Sequence, residues 1–566
     1  MSVDNPMTHQ HNVTRFTAVA SWRRSILVLC ALGVLVGMRP APLAPVTGSL
    51  GSPGVFVNAQ EQAPPAELTE FQVLMIAGAA AMQNGDFEAA LEAFDDALGL
   101  EPDDLIARSQ VGRALLELGN SDEALPLLSQ AAQLGPDLFV TQFNLGTALL
   151  RVGQHQEAID WLRAASQLNP EVALPRYGLA LAYAALGDHA RAITELEECV
   201  AVAPQTTDAW LLLGRLLAEH GTGLEAVLKA AEAFEKVVEQ RPHEGDSCLA
   251  LSRAYRRLSL PEQALSLIGD CERAGIEDPR LYLLKGRMQL QMGDFTEART
   301  SLLRAAEGPH EGPLGAAPSH LELAVMSDNQ GDFDTAITEY ERAIELRPRG
   351  MNAYVRLADI YVKRRQPEAA DELLARGIRA APRSPLAHQE LCRVRREMGD
   401  LAAAETYCRR ALELNPDLLA GYYTLALVLR DRGKTEESQR MMERFSTLTA
   451  ADEQEKLETN RATEIGLANV QGLYYFRQDN LERALELFES ADELAQDDWL
   501  VAFNLGMTYA ALSNHESSVA ALERARQLNP GRARTYSVLA AELRALGRQD
   551  EAMRIEALGR ELEQRP

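Results

Sequence analysis

The sequence predicts an all-α solenoid of about fourteen stacked helix–turn–helix units, and three observations predict it. Prolines recur at a fixed interval: Pro102, Pro136, Pro170 and Pro204 are 34 residues apart each time, as are Pro348, Pro382 and Pro416. Counted from Phe71, the eighth position of every interval is small, from Gly78, Gly112 and Gly146 through Cys392 and Ala426 to Ala540. The twentieth is Ala in twelve units, with Ser438 and Ser518 as the exceptions. A length of 566 residues would by itself suggest three or four globular domains at about 150 residues each. An internal period of this kind overrides that estimate. Composition agrees: aromatics are 6% and charged residues 24%, so Ala- and Leu-rich helical stripes supply the surface to be buried.

The N-terminus reads as a targeting segment. Arg15, Arg23 and Arg24 precede a thirteen-residue apolar run, Ile26 to Met38. A bilayer-spanning helix needs about 20 residues, so the run suits a signal peptide. Val57-Asn58-Ala59 resembles a cleavage site; an uncleaved membrane anchor is the alternative. Residues 1–59 are therefore expected to be a signal peptide or anchor with a Pro/Gly-rich segment, and residues 60–70 a flexible lead-in. The pair Arg23-Arg24 is read as part of an ordinary positive flank rather than a twin-arginine signal. Removing residues 1–59 takes away four Arg and one Asp from a chain already at −26. Such an excess of acid disfavours nucleic-acid binding and adhesion to anionic membranes.

Repeats 1–11 are expected over residues 71–452. Four extra residues fall in the Gly221–Lys229 region and four near Gly312–Ala316. Pro309, Pro313 and Pro318 make 308–318 a candidate hinge. Residues 453–464 are charged and are read as a linker, after which repeats 12–14 occupy 465–566. The third repeat shows the logic of each unit. Phe143, Leu145, Gly146 and Leu149 form one apolar stripe at helical spacing, Gly153 turns the chain, and Ala158, Ile159, Leu162 and Ala165 form the facing stripe. Asn169-Pro170 ends the second helix. A single pair leaves one face uncovered, so neighbours must stack.

This pattern resembles the tetratricopeptide repeat family. The resemblance is carried by Trp210, Leu213 and Gly214, by Asn504-Leu505-Gly506 with Tyr509, and by Gly85-Asp86-Phe87-Glu88-Ala89-Ala90 with Phe94, Ala97 and Pro102. It covers nearly all of the chain from Phe71 onward, and it implies a right-handed superhelix whose first helices line a concave ligand groove.

On that implied groove, arginines prevail over acids. Position 9 carries Arg113, Arg215, Arg253, Arg287 and Arg393 against Asp359; position 12 carries Arg256, Arg396, Arg430 and Arg544 against Asp328. Arginine grips carboxylates in a planar, bidentate manner, which suits an acidic peptide or a C-terminus. Equally, these arginines can pair with acids on neighbouring helices. Asn144 and Asn504, at position 6, are candidates for holding a ligand backbone. Phe143, Tyr177, Tyr423 and Phe503, at position 5, are candidate aromatic contacts.

No HExxH, GxSxG or CxxC motif occurs, and no enzyme activity, cofactor or metal is expected. Gly433-Lys434-Thr435 resembles the end of a phosphate-binding loop, but Val428 stands where the loop needs glycine. His155, His189 and His515 share position 17 with Phe87, Phe295 and Phe333, and so read as packing residues near the turn. Two cysteine couples are more telling. Cys392 and Cys408 hold positions 8 and 24 of one repeat, Cys248 and Cys271 positions 4 and 27 of another, at nearly matching heights on an antiparallel helix pair. They are either disulfides, as an oxidising compartment permits, or buried small hydrophobes.

The expected function is a non-catalytic, exported scaffold that holds extended or acidic peptide segments, in a bacterial envelope assembly. An accessory subunit of polysaccharide-export or glycosyltransferase machinery is the alternative. Partners are expected to be proteins or peptides rather than nucleic acid, with membrane contact only through an unprocessed N-terminus.

Overall fold

In repeat 5 the fifteenth position, Gly221, is extended at φ −69°, but every other repeat turns at its fifteenth position, where the backbone enters the left-handed region. Gly85, Gly119, Gly153, Gly187, Gly293, Gly331, Gly399, Gly433 and Gly547 occupy it at positive φ, as do Ser259, Arg365, Asp479 and Ser513. Glycine adopts this conformation without a Cβ clash; the four other residues are held in it by the helices on either side. The sixteenth position then caps the second helix. Asp86, Asp188, Asp332, Asp400, Asn480 and Asn514 each accept a hydrogen bond from a backbone N–H of the first turn, which satisfies a donor the helix itself leaves open.

The computed structural model describes residues 68–308 and 315–564. The expected targeting segment, most of the lead-in and most of the candidate hinge lie outside these residues. Among the described residues there are 27 helices. Fourteen pairs would give one more; the second helix of repeat 11 and the first helix of repeat 12 are fused into a single helix, Thr435–Arg477, of 43 residues. No described helix is long and apolar enough to cross a membrane.

The small eighth position sets how closely the paired helices approach. A Cβ on Gly146 would stand 2.7 Å from Leu162, on Gly78 2.5 Å from Phe94, and on Gly472 2.6 Å from Phe488. Position 8 thus faces position 24, and Phe94, Leu128, Leu162 and Phe488 there are fully buried. Each such side chain contributes about 1.5–3 kcal/mol by leaving water. Position 20 lies beside this contact, and the two serines that replace alanine keep the fit by a hydrogen bond. Ser438 donates to the carbonyl of Ala426 at 2.7 Å and Ser518 to that of Gly506 at 2.8 Å.

The chain divides into two units, residues up to Gly221 and from Thr222 onward. The division falls in repeat 5, at its four extra residues. Unit 1 holds repeats 1–4 and the first helix of repeat 5, Thr207–His220; unit 2 begins with that repeat's second helix, Gly223–Gln240. Within unit 2 the helices pack consecutively from Gly223 to Arg477, and the last of them returns to pack on the first.

That return involves the segment expected to be a linker. Residues 453–464 lie in the middle of the Thr435–Arg477 helix and are solvent-exposed. No Gly or Pro interrupts 435–465, and Lys456 pairs with Asp452 at 2.6 Å, one helical turn away. Both features favour helix over loop. The charge of the segment is that of a helix solvated all round.

Candidate peptide-binding groove

The first helices form the inner face of each unit. Those of repeats 2, 3 and 4 touch one another in unit 1, and those of repeats 6 to 11 and 12 to 14 do so in unit 2, while successive second helices lie further apart. The wall so formed is laced by polar contacts one repeat apart. Arg151 pairs with Glu117 at 2.7 Å in unit 1. In unit 2, Arg280 pairs with Asp246 at 2.8 Å and Lys363 with Asp328 at 3.3 Å.

Three of the arginines expected to meet ligand belong to this lacing. Arg287 donates to Glu322 at 2.8 Å, and Arg396 to Asp431 at 2.7 Å. Arg393 is held by three carboxylates: Asp359 at 2.5 Å, Glu390 at 2.7 Å and Glu397 at 3.3 Å. Burial alone would lower the affinity of Arg393 for its proton, but these acids raise it overall. The two asparagines also point inward. Asn144 donates to the Ser109 hydroxyl at 2.9 Å, and Asn504 to the Asn469 carbonyl oxygen at 2.8 Å; both amides are buried. Arg113 is buried too, 8% exposed. The two asparagines hold repeat to repeat instead of presenting a free donor, whereas the buried Arg113 Nε has no hydrogen-bond partner among the described residues.

Arg253 and Arg256 differ. Both are exposed on the first helix of repeat 6, and neither has a hydrogen bond or ion pair among the described residues. Burial lowers the proton affinity of Arg253, and the cations Arg280 and Arg256 lower it further against Asp278 and Asp246. An anion arriving here would relieve that repulsion. In unit 1, Arg215 is exposed on the first helix of repeat 5.

Between repeats 8 and 9 the inner wall opens into a hollow of about 320 Å³, lined by Leu321, Glu322, Val325, Asn352, Val355 and Arg356. Three aliphatic side chains form its floor. Exposed Asn352 and Arg356 stand at its rim, and Glu322 is already tied to Arg287. The hollow has room for about one apolar side chain, with an amide, Asn352, and a cation, Arg356, beside it. Reading charge at positions 9 and 12 missed it, because its residues hold positions 2, 5, 6 and 9 of two neighbouring repeats. Valines and a leucine at those inner positions were the available signal. The aromatic candidates give less to a ligand. Phe143 and Phe503 are buried, and the exposed Tyr423 leans at 47° against Phe445 with ring centroids 5.4 Å apart.

The cysteines come together. Cys248 is bonded to Cys271, and Cys392 to Cys408. Cys392–Cys408 spans the position 8 to position 24 contact at which glycines elsewhere let the helices close. Cys199 is free and buried, and burial pushes its thiol up to about 12. Of the histidines, His189 stacks on His220 at 3.5 Å and His515 contacts Glu542 at 2.9 Å. Among the described residues no group of three His, Cys, Asp or Glu could hold a metal ion.

Family models described as Tetratricopeptide repeat match residues 77–138, 149–219, 249–316, 329–391, 391–418 and 469–533. Together these segments cover more than half of the sequence, and the chain belongs to the tetratricopeptide-repeat family. No curated protein matches the chain. Similar solved structures include yeast Tom70, at 16% identity over 79% of this chain and 96% of that one, with a TM-score of 0.33. The Cut9–Hcn1 hetero-tetramer of the APC/C is 13% identical over 84% of this chain and 97% of that one, with a TM-score of 0.31. MamA from Desulfovibrio magneticus is 24% identical over 31% of this chain and 96% of that one, with a TM-score of 0.27. Proteins of this repeat type are typically non-catalytic scaffolds for protein–protein interaction.

Proposed function

We propose that the protein is an exported scaffold that holds an extended peptide segment of a partner along the inner face of unit 2, in a cell-envelope assembly. The observation that carries this reading is the hollow between repeats 8 and 9. Its aliphatic floor of Leu321, Val325 and Val355 sits under Asn352 and Arg356, which make no hydrogen bond or ion pair among the described residues. An apolar anchor fills the floor, and an acidic residue beside it meets Arg356. Further acidic residues meet Arg253 and Arg256. Salt bridges that are already satisfied, such as Arg393 with its three carboxylates, stay out of binding because breaking them would leave charge uncompensated. Export to an oxidising compartment is supported by the two bonded cysteine pairs and by the apolar run Ile26 to Met38 behind three arginines.

The experiment is selection of peptides from a random display library on the chain from residue 60 onward. Enriched peptides should share an aliphatic residue next to Asp or Glu. Their affinity should fall about tenfold or more in Val355→Arg and in Arg356→Glu, as for a truncated anchor in a pocket. Enrichment that ignores both substitutions removes the hollow from the binding site.

A further inference from the structure

We propose that repeats 12–14 are a clasp that closes unit 2 into a ring around the groove and opens to admit or release an extended chain. The closing contact joins residues more than two hundred apart. Gln471 donates its side-chain amide to the carbonyls of Leu258 at 2.7 Å and Ser259 at 3.0 Å. Gln263 donates to the Tyr475 hydroxyl at 2.9 Å. The Tyr474 ring stands edge-on to Tyr255 with centroids 5.9 Å apart, and Arg477 is paired with Glu232.

Helix fusion explains why this face is open to such a contact. In other repeats the first helix packs on the second helix of the repeat before it. Here that second helix is the same continuous rod, which cannot fold back on its own end. The first helix of repeat 12 therefore offers Gln471, Tyr474, Tyr475 and Arg477 to a different partner, and repeats 5 and 6 supply it. Repeat 6 is made firm for the purpose, since Cys248–Cys271 ties its two helices together.

Two features make the contact a clasp rather than a permanent seam. Its direct contacts are mainly hydrogen bonds, one ion pair and tyrosine edges, the composition of an interface that opens. The rod that carries it is exposed through 453–464, so little packing resists a change in its direction. When closed, consecutive helix contacts from Gly223 to Arg477 run without a gap. A peptide in the hollow of repeats 8 and 9 is then encircled. The encircled ligand rests on the function proposed above; the opening itself does not.

The test reads the chain alone. Spin labels at exposed Arg257 and Glu482, in the otherwise full chain from residue 60, report the distance across the clasp by double electron–electron resonance. The native protein should show a short, dominant distance. Arg477→Glu should raise the open-to-closed ratio about tenfold, a typical coupling for an ion pair in a shared network. Adding Glu232→Arg should restore the short distance, which repair of mere structural damage would not do. Gln471→Ala, which adds no charge, should also open the clasp while circular dichroism shows helix content retained. A native chain without the short distance, a distribution unmoved by Arg477→Glu, or failure of the charge swap to reclose it would each overturn the clasp.

Discussion

Gln263 donates its side-chain amide to the hydroxyl of Tyr475 at 2.9 Å, joining residues 212 apart in the chain. A solenoid is dominated by contacts between neighbouring repeats, so a bond over this distance marks a departure from one-dimensional stacking. It follows from a local event, the fusion of two helices into Thr435–Arg477. Losing one turn sends the last three repeats back onto the start of unit 2.

The turn geometry makes a prediction about stability. Ser513 and Arg365 hold the left-handed conformation at φ 58° and 59°, where an L side chain costs about 1–2 kcal/mol. Ser513→Gly and Arg365→Gly should each stabilise by about 0.5–1 kcal/mol, the loss of chain entropy partly offsetting the relief. Thermal melts of the two variants check this, and a fall in melting temperature would count against the assigned turn.

Gly146 predicts the opposite sign. A Cβ there meets Leu162 at 2.7 Å, so Gly146→Val should destabilise by about 1–3 kcal/mol through overpacking. Leu162→Ala should lose about 2–5 kcal/mol alone. In the double variant the two effects should be markedly less than additive, because the smaller partner makes room. A double-mutant cycle in urea gives the coupling.

The cysteines predict distinct reactivities. Reduction should destabilise unit 2 by about 3 kcal/mol per bond if loop closure dominates, seen as a lower melting point in dithiothreitol. Cys199 should resist alkylation in the folded chain from pH 7 to 9. Its thiol is raised to about 12 by burial, so the reactive thiolate is scarce until pH approaches that value. Rapid labelling of Cys199 at pH 8 would contradict its placement.

Glu405 predicts an acid-sensitive contribution. Its carboxylate is 9% exposed and accepts from Arg409 at 2.8 Å and Lys434 at 3.0 Å. Burial alone would raise its pKa, but these cations hold it below the usual 4.5. A lowered folded pKa means that the contribution is present above the unfolded value and is lost as pH falls through the folded one. Glu405→Gln should therefore reduce stability at pH 7 and flatten the loss of stability in acid, which melts between pH 3 and 7 would record.

Much of the fold was legible because its constraints repeat. Small residues at position 8, alanine at 20 and proline at 32 each mark a backbone requirement met many times over, so Gly78 and Phe94 or Gly472 and Phe488 declare the same contact. The rod was not legible in the same way. Twelve extra residues with high charge read as a linker, although the absence of Gly and Pro from 435–465 pointed to helix. The groove was legible only in part. Position identified Arg253 and Arg287 alike, but the acid that neutralises Arg287 is Glu322 on the next repeat. Single-position charge counts do not register such partners. The hollow under Arg356 arises from two repeats together, so no one repeat displays it.

In the proposed function, partners lie on the inner face of unit 2. The most direct measurement places a photo-crosslinking amino acid in cells at Val325 or Val355, in the hollow, and in parallel at exposed Arg342 on the second helix of repeat 8. A discrete crosslinked partner is expected from both inner positions, abolished by Arg356→Glu, and none from position 342. Crosslinks confined to position 342, or inner crosslinks indifferent to Arg356→Glu, would contradict it.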